Sequence, residues 1–148
     1  MTLTTDQLDQ YPLIWRWMNR HTKLPWSTDL RTLANMRDDG TIAAAVAYNN
    51  WTDSMCFMHV AFENSHCLTR SFLRAAFAYP FQDVGLDAVY VVTQKRLKEL
   101  NQFTEKLGFK KIADTVDAFI REMRQEDCRW LKLQEKEHGQ QRFSASYA

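Results

Sequence analysis

Two titratable side chains lie close together in the most apolar part of the sequence, His59 and Glu63 of "MHVAFE". An imidazole changes charge near neutrality, so it can take a proton from a nucleophile in water. A carboxylate such as Glu63 could do the same. Each has a plainer reading as well: His59 as a hydrogen-bonded core histidine, Glu63 as a solvated group at a strand end. Upstream, "YNNWT" supplies Tyr48, Asn49 and Asn50, whose ring and side-chain amides suit the wall of a substrate pocket. They suit a turn between strands equally, because asparagine tolerates positive φ. Cys67 stands where a helix begins and would gain thiolate character from the helix dipole, but no base accompanies it. His66 could assist an anion or simply occupy the turn. Cys56, Cys67 and Cys128 lack metal-ligand spacing, so reduced thiols and no metal site are expected.

These residues must be held by elements that the hydrophobic pattern outlines. "SMCFMHVAF", 54–62, is a nearly continuous apolar run, as in a strand covered on both faces, and "DAVYVVT", 87–93, is a second. Between them, 67–83 forms a helical pattern with Leu68, Phe72, Ala76 and Tyr79 on one stripe. Pro80 must bend or end that helix, since it brings no amide to the carbonyl four residues back. Strands near 30–37 and 41–48 flank a hairpin signal, Asp38-Asp39-Gly40. A helical stretch over 4–22 opens with a Thr-Thr-Asp cap and carries Pro12 inside it. The helix at 96–107 stops at Gly108, where a left-handed residue without Cβ is wanted. Strands near 109–116 and 118–133 follow, and a polar tail fills 134–148. A strand, a helix and another strand in succession over 54–93 force one parallel pair, so the fold class is α/β.

Composition narrows the function. A chain of 148 residues with 45% hydrophobic content and five tryptophans suits one folded domain, here 1–133. Nineteen basic against 18 acidic residues leave a formal charge of +1. No global field draws it to nucleic acid, although a local basic groove stays open as an alternative. No segment approaches membrane-spanning length and no leader pattern is visible, so a cytoplasmic protein is expected.

The element order, with "YNNW" (48–51), "MHVA" (58–61), "AYPF" (78–81), "KLGF" (106–109) and "CRWL" (128–131), resembles the GNAT (Gcn5-related N-acetyltransferase) superfamily, and within it short bacteriophage-encoded GNAT-like proteins. The resemblance implies a mixed central sheet with helices on both faces and two splayed parallel strands, 54–62 and 87–93. It implies acetyl-CoA in the opening, with the backbone of Val60, Ala61 and Phe62 along its pantetheine arm. Amides of Leu68, Thr69, Arg70 and Ser71 would receive the pyrophosphate, Arg70 adding a cation. His59 and Glu63 become the candidate bases, and Tyr48, Asn49 and Asn50 the acceptor wall. Two positions depart from the pattern. "ENSHCLTRS" has none of the glycines usual at that turn, and Thr104 occupies the place of the tyrosine that often serves as general acid. The asparagine often found at the start of this helix aligns with Leu97. The implied function is acetyl transfer to a small-molecule or protein amine in a host cytoplasm, with the oligomeric state open and a homodimer one option. The alternative is a GNAT-fold module that has lost catalysis and binds a virion or host partner.

Overall fold

The structure, a computed structural model, describes residues 2–6 and 12–131. Seven strands form one sheet: β1 (Thr2–Thr4), β2 (Arg31–Met36), β3 (Ile42–Asn49), β4 (Met55–Phe62), β5 (Ala88–Gln94), β6 (Lys110–Asp114) and β7 (Ala118–Arg124). Their spatial order is β1-β2-β3-β4-β5-β7-β6. Every neighbouring pair is antiparallel except β4 and β5. Among the described residues, three α-helices cover it: α1 (Leu13–Thr22), α2 (Arg70–Ala78) and α3 (Lys98–Leu107).

Strand alternation decides which side chains meet which helix. On one face of β3 and β4, Ala45, Ala47 and Ala61 are small enough for Trp17 and Met18 of α1 to pack closely. On the other face, Val46, Tyr48, Met58 and Val89 meet Phe72, Ala76 and Phe77 of α2, and Phe103 and Leu107 of α3 join that cluster. Helices therefore lie on both faces, as expected.

The β4–β5 pairing is short. Met55 faces Ala88, Cys56 faces Val89 and Phe57 faces Tyr90, and there the register ends. β4 stays with β3 as far as Ala44–Phe62, while β5 stays with β7 as far as Gln94–Ala118. Each strand follows its outer neighbour, so the two separate toward their C-terminal ends. The splayed parallel pair is present where the sequence placed it.

Four boundaries differ. β1 was not foreseen, because three residues carry no readable period. The helix expected over 4–22 starts at Leu13; the carboxylate of Asp6 caps it, accepting the amides of Ile14 at 2.9 Å and Trp15 at 3.0 Å. The 67–83 helix is a 3₁₀ turn (Ser65–Cys67), then α2, then a π turn (Tyr79–Val84) that absorbs Pro80. The strand expected over 118–133 ends at Arg124, since its partner β5 begins opposite it at Ala88. "CRWL" therefore lies beyond the sheet, where buried Trp130 donates Nε1–H to the Leu107 carbonyl at 2.9 Å. Residues 7–11 and the tail expected over 134–148 lie outside the described residues.

Candidate active site

Beyond Phe57 and Tyr90, the β5-facing edge of β4 and the β4-facing edge of β5 have no strand partner among the described residues. The gap opens into a cavity of about 560 Å³, walled by Val60 of β4, Val91 and Thr93 of β5, the end of α1 and the start of α3. A second cavity of about 770 Å³ adjoins it, between the β4–α2 turn (Glu63, Asn64, Ser65) and α3. The two share Arg96, Leu97 and Leu100, so they form one cleft through the splay.

His59 lines the first cavity from the middle of β4. Its Nε2 lies 2.9 Å from Oδ1 of Asn49 on the adjacent strand. An amide oxygen can only accept, so this contact assigns the proton to Nε2 and leaves Nδ1 with its lone pair. Among the described residues Nδ1 has no hydrogen-bond partner. Burial holds the imidazole below its usual pKa, so it is neutral at pH 7. A neutral histidine with one nitrogen tethered and the other open is arranged to accept a proton.

Glu63 is arranged differently. Arg37, from the hairpin, grips it through both guanidinium nitrogens, at 2.8 and 3.3 Å. The hydrogen bond from Arg37 lowers the carboxyl pKa, which makes Glu63 a poorer base. The strand-end carboxylate reading describes it better.

The three acceptor candidates separate. Asn49 orients His59. Tyr48 faces the other side of β3, fully buried, its hydroxyl donating to the Ala76 carbonyl of α2, so it cannot touch a molecule in the cleft. Asn50 has φ 54° and donates its amide to Asp29 Oδ2 at 2.8 Å, which is the turn role. Alternation along one strand sends consecutive residues to opposite faces.

Val60, Ala61 and Phe62 lie on the stretch of β4 whose β5 edge is open, as the expected role requires. Thr69 caps α2, accepting the Phe72 amide at 3.2 Å, with Leu68 before it and Arg70 and Ser71 in its first turn. A helix leaves its first amides without intrahelical partners, so this end faces outward as a set of donors. Cys67 is buried, its sulfur 3.7 Å from Arg37 Nη2. No group of three or more metal-ligating side chains occurs among the described residues.

Thr104 borders the cavity, but its hydroxyl donates to the carbonyls of Leu100 at 3.1 Å and Asn101 at 2.9 Å on its own helix. Sequence reasoning missed the neighbours that set the cleft wall. Asn101 donates from Nδ2 to the carbonyls of Gln94 at 3.0 Å and Leu97 at 2.9 Å, tying the β5–α3 turn to the helix. Its Oδ1 accepts from Thr93 and from the guanidinium of Arg121, 1% exposed on β7. Leu97, Asn101 and Thr104 share one helical face, so a polar step within that stripe was the available signal.

No protein-family model matches the chain, and no curated protein matches it in sequence. Solved structures do match in shape. Mutant forms of the spermidine/spermine N-acetyltransferase SpeG from Vibrio cholerae align over 90% of this chain and 98% of theirs, at 12% identity and TM-score 0.72. The Campylobacter jejuni N-acetyltransferase PseH aligns over 84% of this chain and 97% of its own, at 11% identity and TM-score 0.64. PseH in complex with acetyl coenzyme A aligns over 75% and 77%, at 12% identity and TM-score 0.57. At these identities the likeness is one of fold. The chain has the GNAT fold that these acetyltransferases share.

Proposed function

We propose that this chain is an acetyl-CoA-dependent N-acetyltransferase acting on an amine. The observation that carries the reading is the interrupted β4–β5 pair, which leaves an open strand edge beside a neutral, tethered histidine. The donor set fits acetyl-CoA. An open β edge offers amides and carbonyls to the amide-bearing pantetheine arm, and the α2 N-terminus offers donors to the pyrophosphate. Val60, Ala61 and Phe62 would hold the first, and Leu68, Thr69, Arg70 and Ser71 the second. The second cavity opens between Asn64, Ser65 and α3 and is not lined by residues 68–71, so the support for these donors is the α2 N-terminus itself, capped by Thr69.

Acetyl-CoA supplies an acetyl group activated as a thioester. The chain supplies position and proton handling. His59 takes the amine proton at Nδ1, and Asn49 keeps the ring in the tautomer that allows it. Glu63, held by Arg37, shapes the rim rather than serving as base. Thr104 donates to its own helix, so it would not supply a proton to the leaving group. The five four-residue motifs are the support for a phage origin, and with it for action in a host cytoplasm.

Calorimetric titration with acetyl-CoA and with free coenzyme A tests the reading. Saturable heat below millimolar ligand, followed by amine-dependent thiol release, is expected. No heat at millimolar ligand overturns it in favour of a fold retained for binding a protein partner. Arg70→Ala should weaken coenzyme A binding by about 1.5–3 kcal/mol, the range for a hydrogen bond to a charged group.

A further inference from the structure

We infer that the acceptor is an amine bearing an anionic group, a carboxylate or phosphate a few bonds from its nitrogen, rather than a polyamine. This rests on the transferase reading and concerns the smaller of the two cavities.

That cavity, about 560 Å³, is lined by Lys23, Arg96, His21 and His59, and among the described residues its lining contains no aspartate or glutamate. Among the described residues neither Lys23 nor Arg96 has an ion-pair partner. The adjoining cavity does contain carboxylates, Glu63 and Glu99, but Glu63 is neutralised by Arg37 at 2.8 Å. The charged side chains described around the smaller cavity therefore have one sign. Lys23 is fixed there by the fold: it ends α1 in a left-handed conformation at φ 54°, its amide donating to the Asn19 carbonyl at 3.0 Å. Arg96 is held in the turn that Asn101 ties to α3, beside the hydrogen bond to Gln94.

A linear polyamine carries cations along its length, and each one entering a cleft needs an opposite charge to offset its lost hydration. None is present. An amine with an anionic tail finds two cations for the tail. The same cations oppose protonation of its nitrogen, because a nearby like charge disfavours the charged form. The nucleophile is thus kept neutral by the wall that anchors it, and His59 has only to take the proton released on attack.

Three amines of matched length test this on the full chain: propylamine, 1,3-diaminopropane and 3-aminopropylphosphonate, with spermidine as a fourth. Direct titration of each, and acetyl transfer read as thiol release, should favour the phosphonate over the diamine by at least about tenfold. Raising the ionic strength should shrink that ratio, since exposed charges are screened by salt. Lys23→Asn, which tolerates the left-handed backbone, and Arg96→Gln should each reduce the ratio several-fold. Acetyl-CoA affinity is measured alongside. Equal or better use of 1,3-diaminopropane or spermidine overturns the inference, as does a preference unchanged in both variants. Failure to bind acetyl-CoA sinks the transferase reading instead, and amine titration of the chain alone still decides what the cavity prefers. The same titration decides if cofactor binds but no amine is acetylated.

Discussion

His59 and Asn49 form a hydrogen-bonded pair, and in the proposed reaction the first takes the proton while the second aims its ring. If Nδ1 takes the proton, His59→Gln should lower kcat by about 10²–10⁴-fold while coenzyme A affinity is kept. Stopped thiol release with unchanged calorimetry would bear this out, and near-parental turnover would refute it. The lowered pKa also has a stability consequence. The folded imidazole binds its proton less readily than the unfolded one, whose reference value is 6.5. Its contribution is therefore full above pH 6.5 and is lost as pH falls through the lower folded value. Acidification across that window should destabilise the parent more than His59→Gln, read as a difference in urea midpoints. Lys23 and Arg96 line the same cavity, so a protonated His59 would add its charge to others of the same sign. Thr104 gives a contrasting expectation. Its hydroxyl is used on its own helix, so Thr104→Ala should cost at most about 1 kcal/mol and leave kcat nearly unchanged. A large kinetic loss with cofactor binding intact would give the threonine a direct role.

At the scale of elements, the cleft wall depends on how α3 is joined to β5. Asn101 bonds the connecting turn and also accepts from Arg121, whose side chain is 2% exposed and reaches Glu105 at 3.1 Å. Arg121 Nε is buried without a partner among the described residues, so this charge has little tolerance for further loss. Asn101→Leu removes an acceptor from a buried cation and releases the turn, and should cost about 3 kcal/mol or more. Arg121→Met removes the charge together with its needs, and Thr93 still donates to Asn101. It should cost less, about 1–2 kcal/mol. Denaturant melts that rank the two variants the other way would show that the guanidinium, and not the asparagine, holds the junction. The helix itself was readable in the sequence, down to its stop: Gly108 has φ 114°, and the Phe109 amide closes on the Thr104 carbonyl at 3.2 Å. Its polar face was not, because the partners Thr93 and Arg121 are separated from Asn101 by 8 and 20 residues.

At the scale of the whole molecule, a ligand seated in the splay would join the two halves of the sheet, which otherwise meet through three residue pairs between β4 and β5. Coenzyme A at a hundred times its dissociation constant should stabilise the fold by about 2.7 kcal/mol. A rise of several degrees in the melting temperature is expected; none at saturating ligand would mean that the cleft does not bind it. What the sequence determined alone is what depends on local pattern. Apolar runs, helical stripes, Gly40 and Gly108 were enough for the element order after β1, the α/β class and the parallel pair, because periodicity and turn chemistry act over a few residues. The ends of elements were less legible: β7 stops where β5 has nothing left to pair with it, and no signal inside "CRWL" reports that. The site was legible only in part. His59 could be singled out as a residue type near a splayed strand, but its pairing with Asn49 across β3 and β4, the capture of Glu63 by Arg37, the turning of Tyr48 into the core and the gathering of Lys23 and Arg96 around one cavity came from tertiary structure. Each of these joins residues far apart in the chain, and which of them meet is set by strand register and helix packing rather than by neighbours in sequence.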